Sequence, residues 1–327
     1  MSKKKEILFC YENGGICRYE YPEINGIKQY IQIRGVRKDA PLLLFLHGGP
    51  GGSMAGLAHV IQNEWEKHFT VVNWDQRNTC KTLIANKKRA GEIAETGSLA
   101  DFMADIDAVI QYLHTVYSFE KLILAGFSWG SLIGAEYAKL HPENISHYIG
   151  IGQHVHYFEG LDYSISWMKD LAKDDATDMA QLNTFSELVS KRPAMDDAFL
   201  KAIQGFSVLG AKYIAKDARP FPVKELLKSP FLKFKEKKAM ITADARMLAG
   251  TYRTLLAHDF RENLHFDVPV LFLFGDEDFV CPEELLNRCY DQITAPVKEK
   301  KTLAKATHLC FFDQPEAFLK EILAFTE

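Results

Sequence analysis

Gly126-Phe127-Ser128-Trp129-Gly130 sets a serine between two glycines, after the apolar run "KLILA" and ahead of "SLIGAEYAKL". A serine hydroxyl is a poor nucleophile at neutral pH. It needs a base to take its proton and a further group to orient that base. It must also be lifted on a tight turn between a strand and a helix, and both flanking runs fit that demand. Glycines on either side let strand and helix approach without a Cβ clash. The competing reading is an inert serine on a glycine-rich turn.

A base and an acid are sought downstream, since in this arrangement the chain order is serine, acid, histidine. His141, His147, His154, His156, His258, His265 and His308 all follow Ser128, but only His308, in "LAKATHLCFF", comes after the last expected strand. The acid should sit just past the carboxyl end of a strand, where ligands collect in open α/β sheets. "VLFLFGDEDFVCP" offers Asp276, Glu277 and Asp278 there, and spacing alone favours Asp278 over Asp276 only weakly. The developing oxyanion needs backbone donors. The Trp129 amide, at the start of a helix, is one. The loop His47-Gly48-Gly49-Pro50-Gly51-Gly52 supplies the other, because glycines let amides come close to a substrate. A phosphate-cradling loop is the rival there, but neither Gly-Lys-Ser/Thr nor G-x-G-x-x-G spacing is present.

These residues need a scaffold, and hydrophobic periodicity describes one. Residues 6–12, 15–21 and 27–35 alternate like antiparallel strands. Beyond them, apolar runs at 41–46, 69–75, 121–126, 146–152 and 268–275 read as strands covered on both faces, and 296–304 as a further strand. Between them lie helical patterns at 53–68, 98–117 (capped by Ser98), 131–142, 281–293 and 314–326. Strands alternating with helices imply an α/β fold with a mostly parallel sheet and helices on both faces. Residues 153–265 interrupt the alternation with a helical pattern too long for a loop. The expected division is a core of 1–152 and 266–327 with a helical cap inserted at 153–265.

Taken in order, "HGGPGG", "WDQR", "GFSWGS", "GDEDFVCP" and a late histidine resemble the α/β-hydrolase fold and, within it, the proline iminopeptidase branch. The resemblance covers 27–152 and 266–327. It implies Ser128 as nucleophile, His308 as base, Asp278 as acid with Asp276 in reserve, and the amides of Gly49 (or Gly48) and Trp129 as oxyanion hole. Two departures stand out. Asp75-Gln76-Arg77 runs into Asn78-Thr79-Cys80-Lys81-Thr82 where the family has a glycine-rich turn ending in serine. A cysteine enters a left-handed turn less easily than glycine. The cap also lacks W-x-x-W-E, its one tryptophan being Trp167.

A peptidase that takes free N-termini must hold an ammonium, which calls for a carboxylate. Glu159, nearest in sequence to the catalytic edge, is the first candidate among the cap's acids. His154-x-His156 has no companions at metal-ligand spacing, and a serine triad requires no metal or cofactor. A net charge of −4 exerts no pull toward nucleic acid, and no apolar run reaches membrane-spanning length. Six cysteines without a paired pattern fit reduced thiols in the cytoplasm.

The sequence therefore predicts a serine hydrolase working through an acyl-enzyme on small molecules or short peptides. Release of N-terminal residues is the first expectation and a small-molecule carboxylesterase the alternative. A non-catalytic binding protein on the same scaffold is the rival from another class.

Overall fold

A computed structural model describes residues 14–214, 222–241 and 245–327. The strand expected over 6–12 lies outside the described residues. In chain order the strands are β1 (Ile16–Glu20), β2 (Glu23–Ile24), β3 (Ile27–Lys28), β4 (Tyr30–Gly35), β5 (Leu42–Leu46), β6 (Thr70–Asp75), β7 (Leu122–Phe127), β8 (Ile145–Ile151), β9 (Val270–Gly275) and β10 (Lys298–Leu303). Eight of them form one sheet in the order β1-β4-β6-β5-β7-β8-β9-β10, and β2 and β3 make a separate hairpin. β1–β4 and β4–β6 pair antiparallel, while every pair from β6–β5 to β9–β10 is parallel.

The central strands are uninterrupted apolar runs because both of their faces are covered. On β5, Leu42, Leu44 and Leu46 enter one apolar cluster while Leu43 and Phe45 enter the other. β9 divides likewise, with Val270, Phe272 and Phe274 on one side and Leu271 and Leu273 on the other. The helix Leu99–Val116 seals one face. Ser98 caps it as expected, accepting from the Asp101 amide while the Asp101 carboxylate accepts from the Ser98 amide.

One expected helix is much shorter than its pattern. Over 53–68 only Ala58–Ile61 is α-helical, followed by a single tight turn at Trp65–Lys67. Residues 48–57 are taken up by turns instead, with Gly52 N–H bonded to Gly48 O and Leu57 N–H to Met54 O. The Ser53 hydroxyl is spent on the buried Asp75 carboxylate. Conversely, 80–95, left unassigned by periodicity, forms helices Cys80–Ala85 and Ala90–Glu95.

Between β8 and β9 the chain builds helices Tyr157–Ala172, Ala176–Ser190, Asp197–Tyr213, Val223–Leu227, Phe234–Ile241 and Ala249–Ala257. The first three share an apolar cluster that includes Phe158, Met168, Leu182, Phe185 and Phe206. Phe279, from the loop after β9, joins that cluster and ties the helical segment to the sheet's carboxyl edge.

Candidate active site

Ser128 caps the helix Trp129–Leu140 at the end of β7, with φ 54° and ψ −118°. A non-glycine residue in that region is strained, and here the surroundings hold it in place. Its amide donates to Ile151 O at 2.9 Å, and its carbonyl accepts from the Ser131 amide at 2.8 Å. The glycines around it are steric necessities. A Cβ on Gly130 would come within 2.1 Å of Leu46 O, and one on Gly126 within 2.3 Å of Gly130 O. Strand and helix touch through backbone alone, as the motif's spacing predicts.

Asp278 and His308 meet 30 residues apart in sequence, His308 Nδ1 lying 2.8 Å from Asp278 Oδ2. The other oxygen, Oδ1, accepts from the amides of Val280 at 2.9 Å and Cys281 at 2.8 Å. With two amides donating to Oδ1, the carboxyl group is held with Oδ2 facing the His308 ring. The imidazole packs on the ring of Phe127, next to the serine, with centroids 4.8 Å apart. Asp276, the reserve acid, turns away and accepts from the Ala306 amide at 3.1 Å. The Ser128 hydroxyl interacts with the Cys281 thiol, whose proton is held firmly because burial pushes its pKa well above the ordinary thiol value. Cys281 is thus a neutral wall residue and no competing nucleophile.

Gly49 and Trp129 line the same pocket as Ser128. Gly49 has φ 116°, open only to glycine at low cost, and Trp129 stands at the first position of its helix, where amides have no carbonyl partner within the helix. Gly48 lies behind them, where a Cβ would fall within 3.0 Å of Ser128 Cβ.

The structure also assigns work to residues that sequence reasoning noted only as a signature. Gln76 donates from Nε2 to His47 O at 3.2 Å and accepts from the Trp129 indole at 2.9 Å. It thereby joins the glycine loop to the elbow. His47, fully buried, has its pKa lowered to about 4 by desolvation and stays neutral. Arg77 pairs with the buried Asp105 through two bonds, at 2.5 and 2.8 Å. In the departure that follows, Asn78 and Cys80 both adopt positive φ, 52° and 37°. The cysteine makes the left-handed turn after all, within a buried setting. Asn78 Nδ2 binds Ala90 O at 3.0 Å and Met247 O at 2.7 Å, fastening this turn to the helical segment.

Glu159 is placed differently from its expected role. Its carboxylate is gripped by Arg261 through two bonds, 2.7 and 3.0 Å, and it does not line the pocket holding Ser128. A guanidinium 102 residues away in sequence satisfies it, which residue type and position could not disclose. The pocket is mainly apolar, with Leu161, Ile203, Phe206, Leu255 and Phe279 among its walls. Among the described residues, no carboxylate lines it.

The chain belongs to the α/β-hydrolase fold family, whose model matches residues 41–315. It is 26% identical over 316 residues to a probable aminopeptidase, YbaC, of Bacillus subtilis (strain 168), across 90% of this chain and 92% of that one. A proline iminopeptidase of Neisseria meningitidis is 30% identical over 125 residues, 38% of this chain and 36% of that one. Among solved structures, the carboxylesterase CesB (YbfK) from Bacillus subtilis superposes with a TM-score of 0.62 at 17% identity, across 99% of this chain and 96% of that one. That likeness speaks for the fold alone. Among the described residues no helix is long and apolar enough to cross a membrane.

Proposed function

We propose that the chain is a serine hydrolase that forms an acyl-enzyme. Ser128 attacks a carbonyl carbon, His308 Nε2 takes its proton and returns it to the leaving group, and Asp278 fixes the imidazole tautomer. Water then attacks the ester with His308 again as base. The amides of Gly49 and Trp129 receive the oxyanion. The observation that carries the reading is the 2.8 Å Asp278–His308 pair packed beside a serine at φ 54°. For proton transfer the Ser128 hydroxyl turns from Cys281 to His308, a contact of the kind that tightens when substrate binds. Residues 153–265 act as a cap over this site, supported by the pocket walls they supply.

The substrate class proposed is a small peptide or amide with a free N-terminus, on the strength of the aminopeptidase relative that matches along nearly the whole chain. A carboxylesterase is the second reading, favoured by the mainly apolar walls that the described residues give the pocket. Labelling with a fluorophosphonate probe, with Ser128→Ala as control, tests the acyl-enzyme. An unlabelled, folded wild-type protein would overturn it. Comparing an N-terminal residue anilide, its N-acetylated form and a short acyl ester then separates the substrate readings, and ester turnover alone would remove the peptidase.

A further inference from the structure

His154 brings unspent hydrogen-bonding capacity into the pocket. It lines the cavity beside Ser128 and is only 5% exposed, yet neither Nδ1 nor Nε2 has a partner among the described residues. Several of its polar neighbours on the wall are already engaged. Gln153 Nε2 donates to His154 O at 3.0 Å and to Ser131 O at 3.3 Å, and its Oε1 accepts from the Tyr148 hydroxyl at 2.7 Å. Ser207 donates to Ile203 O, and His156 Nδ1 accepts from the Glu159 amide. Leaving a buried polar group unpaired destabilises the fold, and an apolar residue would fill the same wall without that cost. A ligand group that pairs with the imidazole offsets it.

We propose that His154 anchors a free amine on the acyl portion of the substrate, its bare ring nitrogen accepting the amine's hydrogen bond. The proposal rests on the acyl-enzyme reading above and names the substrate class for that same site. In an aminoacyl substrate the amine is one carbon from the carbonyl that Ser128 attacks, so its anchor must be registered to the elbow. That registration is present. The His154 amide donates to Ser131 Oγ at 2.8 Å, and the same hydroxyl donates to Ser128 O at 2.6 Å. The imidazole remains an acceptor because burial, with His258 and His156 nearby and Asp259 opposing them, holds its pKa near about 3. With Glu159 occupied by Arg261, His154 takes over the recognition that residue type alone had assigned to a carboxylate.

The test is protection of Ser128 from fluorophosphonate labelling by a matched pair, leucinamide and its des-amino analogue 4-methylpentanamide. In the wild type, leucinamide protects at a concentration lower by about ten-fold or more, the discrimination expected of one good hydrogen bond to an amine. His154→Leu brings the two amides level, and His154→Gln, which keeps an acceptor, restores part of the preference. Equal protection by both amides in the wild type overturns the proposal, as does a preference that survives in His154→Leu. If His154→Leu does not fold, the wild-type ratio and the His154→Gln ratio still decide. Absence of Ser128 labelling in the wild type is a separate result. It overturns the acyl-enzyme reading itself, and the anchor with it.

Discussion

The indole nitrogen of Trp129 donates to Gln76 Oε1 at 2.9 Å, so the residue after the elbow serine is clamped to the turn that follows β6. Through its other atom Gln76 also holds the His47 carbonyl. One side chain thus fixes the two backbone segments proposed to receive the oxyanion relative to each other. Gln76→Leu breaks both bonds and is expected to lower kcat about 10- to 100-fold with KM little changed, since a shift of about 1 Å in such donors is costly. Gln76→Glu keeps the acceptor for Trp129 and should fall between. Steady-state kinetics beside a thermal melt checks this; a loss that tracks Tm across the two variants would mark Gln76 as merely structural.

Asp278→Asn bears on the tautomer argument. The two amides on Oδ1 will keep the side chain in place, but an amide opposite His308 no longer selects the Nδ1-protonated form. Removing the carboxylate from such a triad costs kcat on the order of 10⁴. Asp276→Asn, which disturbs only the bond from the Ala306 amide, should leave kcat within about two-fold, the scale expected for a site away from the chemistry. If the two variants exchange effects, the acid has been assigned to the wrong residue.

That choice between carboxylates shows where reading the chain stops. Strands β5, β7 and β9 were legible because burial on both faces forces apolar runs, and the elbow was legible because its glycines answer to backbone contacts of near 2 Å. Spacing alone separated Asp276 from Asp278 only weakly. The difference lies in the loop after β9, where Phe279 plugs the cluster of the helical segment and Val280 and Cys281 turn their amides onto Asp278. Glu159 failed to reach the pocket for the same reason, its partner Arg261 being distant in sequence. The helix expected over 53–68 yielded to turns because the glycine loop and the Ser53–Asp75 bond claim its first residues. His154, which the sequence showed only as half of a His-x-His pair without metal-ligand companions, became informative once its missing partners could be seen.

The Arg77–Asp105 pair beneath the site should matter more for folding than for chemistry. Asp105 is fully buried and also accepts from Asn25 Nδ2 at 2.7 Å. Asp105→Ala strands the guanidinium and is expected to cost about 3–5 kcal/mol in urea unfolding. An Arg77→Met, Asp105→Leu double variant removes both charges and should recover much of that loss. A double variant no more stable than Asp105→Ala would show that the pair does more than compensate its own desolvation.

Acid sensitivity follows from three buried groups whose effects do not share a sign. His47 and His154 have folded-state pKa values of about 4 and about 3, depressed by burial below the ordinary imidazole value of 6.5. Each contributes stability that is fully present above pH 6.5 and is lost as pH falls toward its folded value, about 3 kcal/mol apiece between pH 7 and 4. Asp75 runs the other way. Burial raises its pKa from 3.8 to about 6, so its contribution is present below pH 3.8 and lost as pH rises through about 6, a similar magnitude of opposite slope. The wild type should therefore lose only about one histidine's worth of stability on acidification to pH 4, because Asp75 offsets the other. Urea unfolding at a series of pH values separates the contributions. His154→Leu flattens the profile, since a leucine has no proton to gain, whereas Asp75→Asn steepens it by removing the compensating carboxylate. Parallel profiles for the two variants would mean that these groups are not the ones titrating, and that the acid response belongs to exposed carboxylates instead.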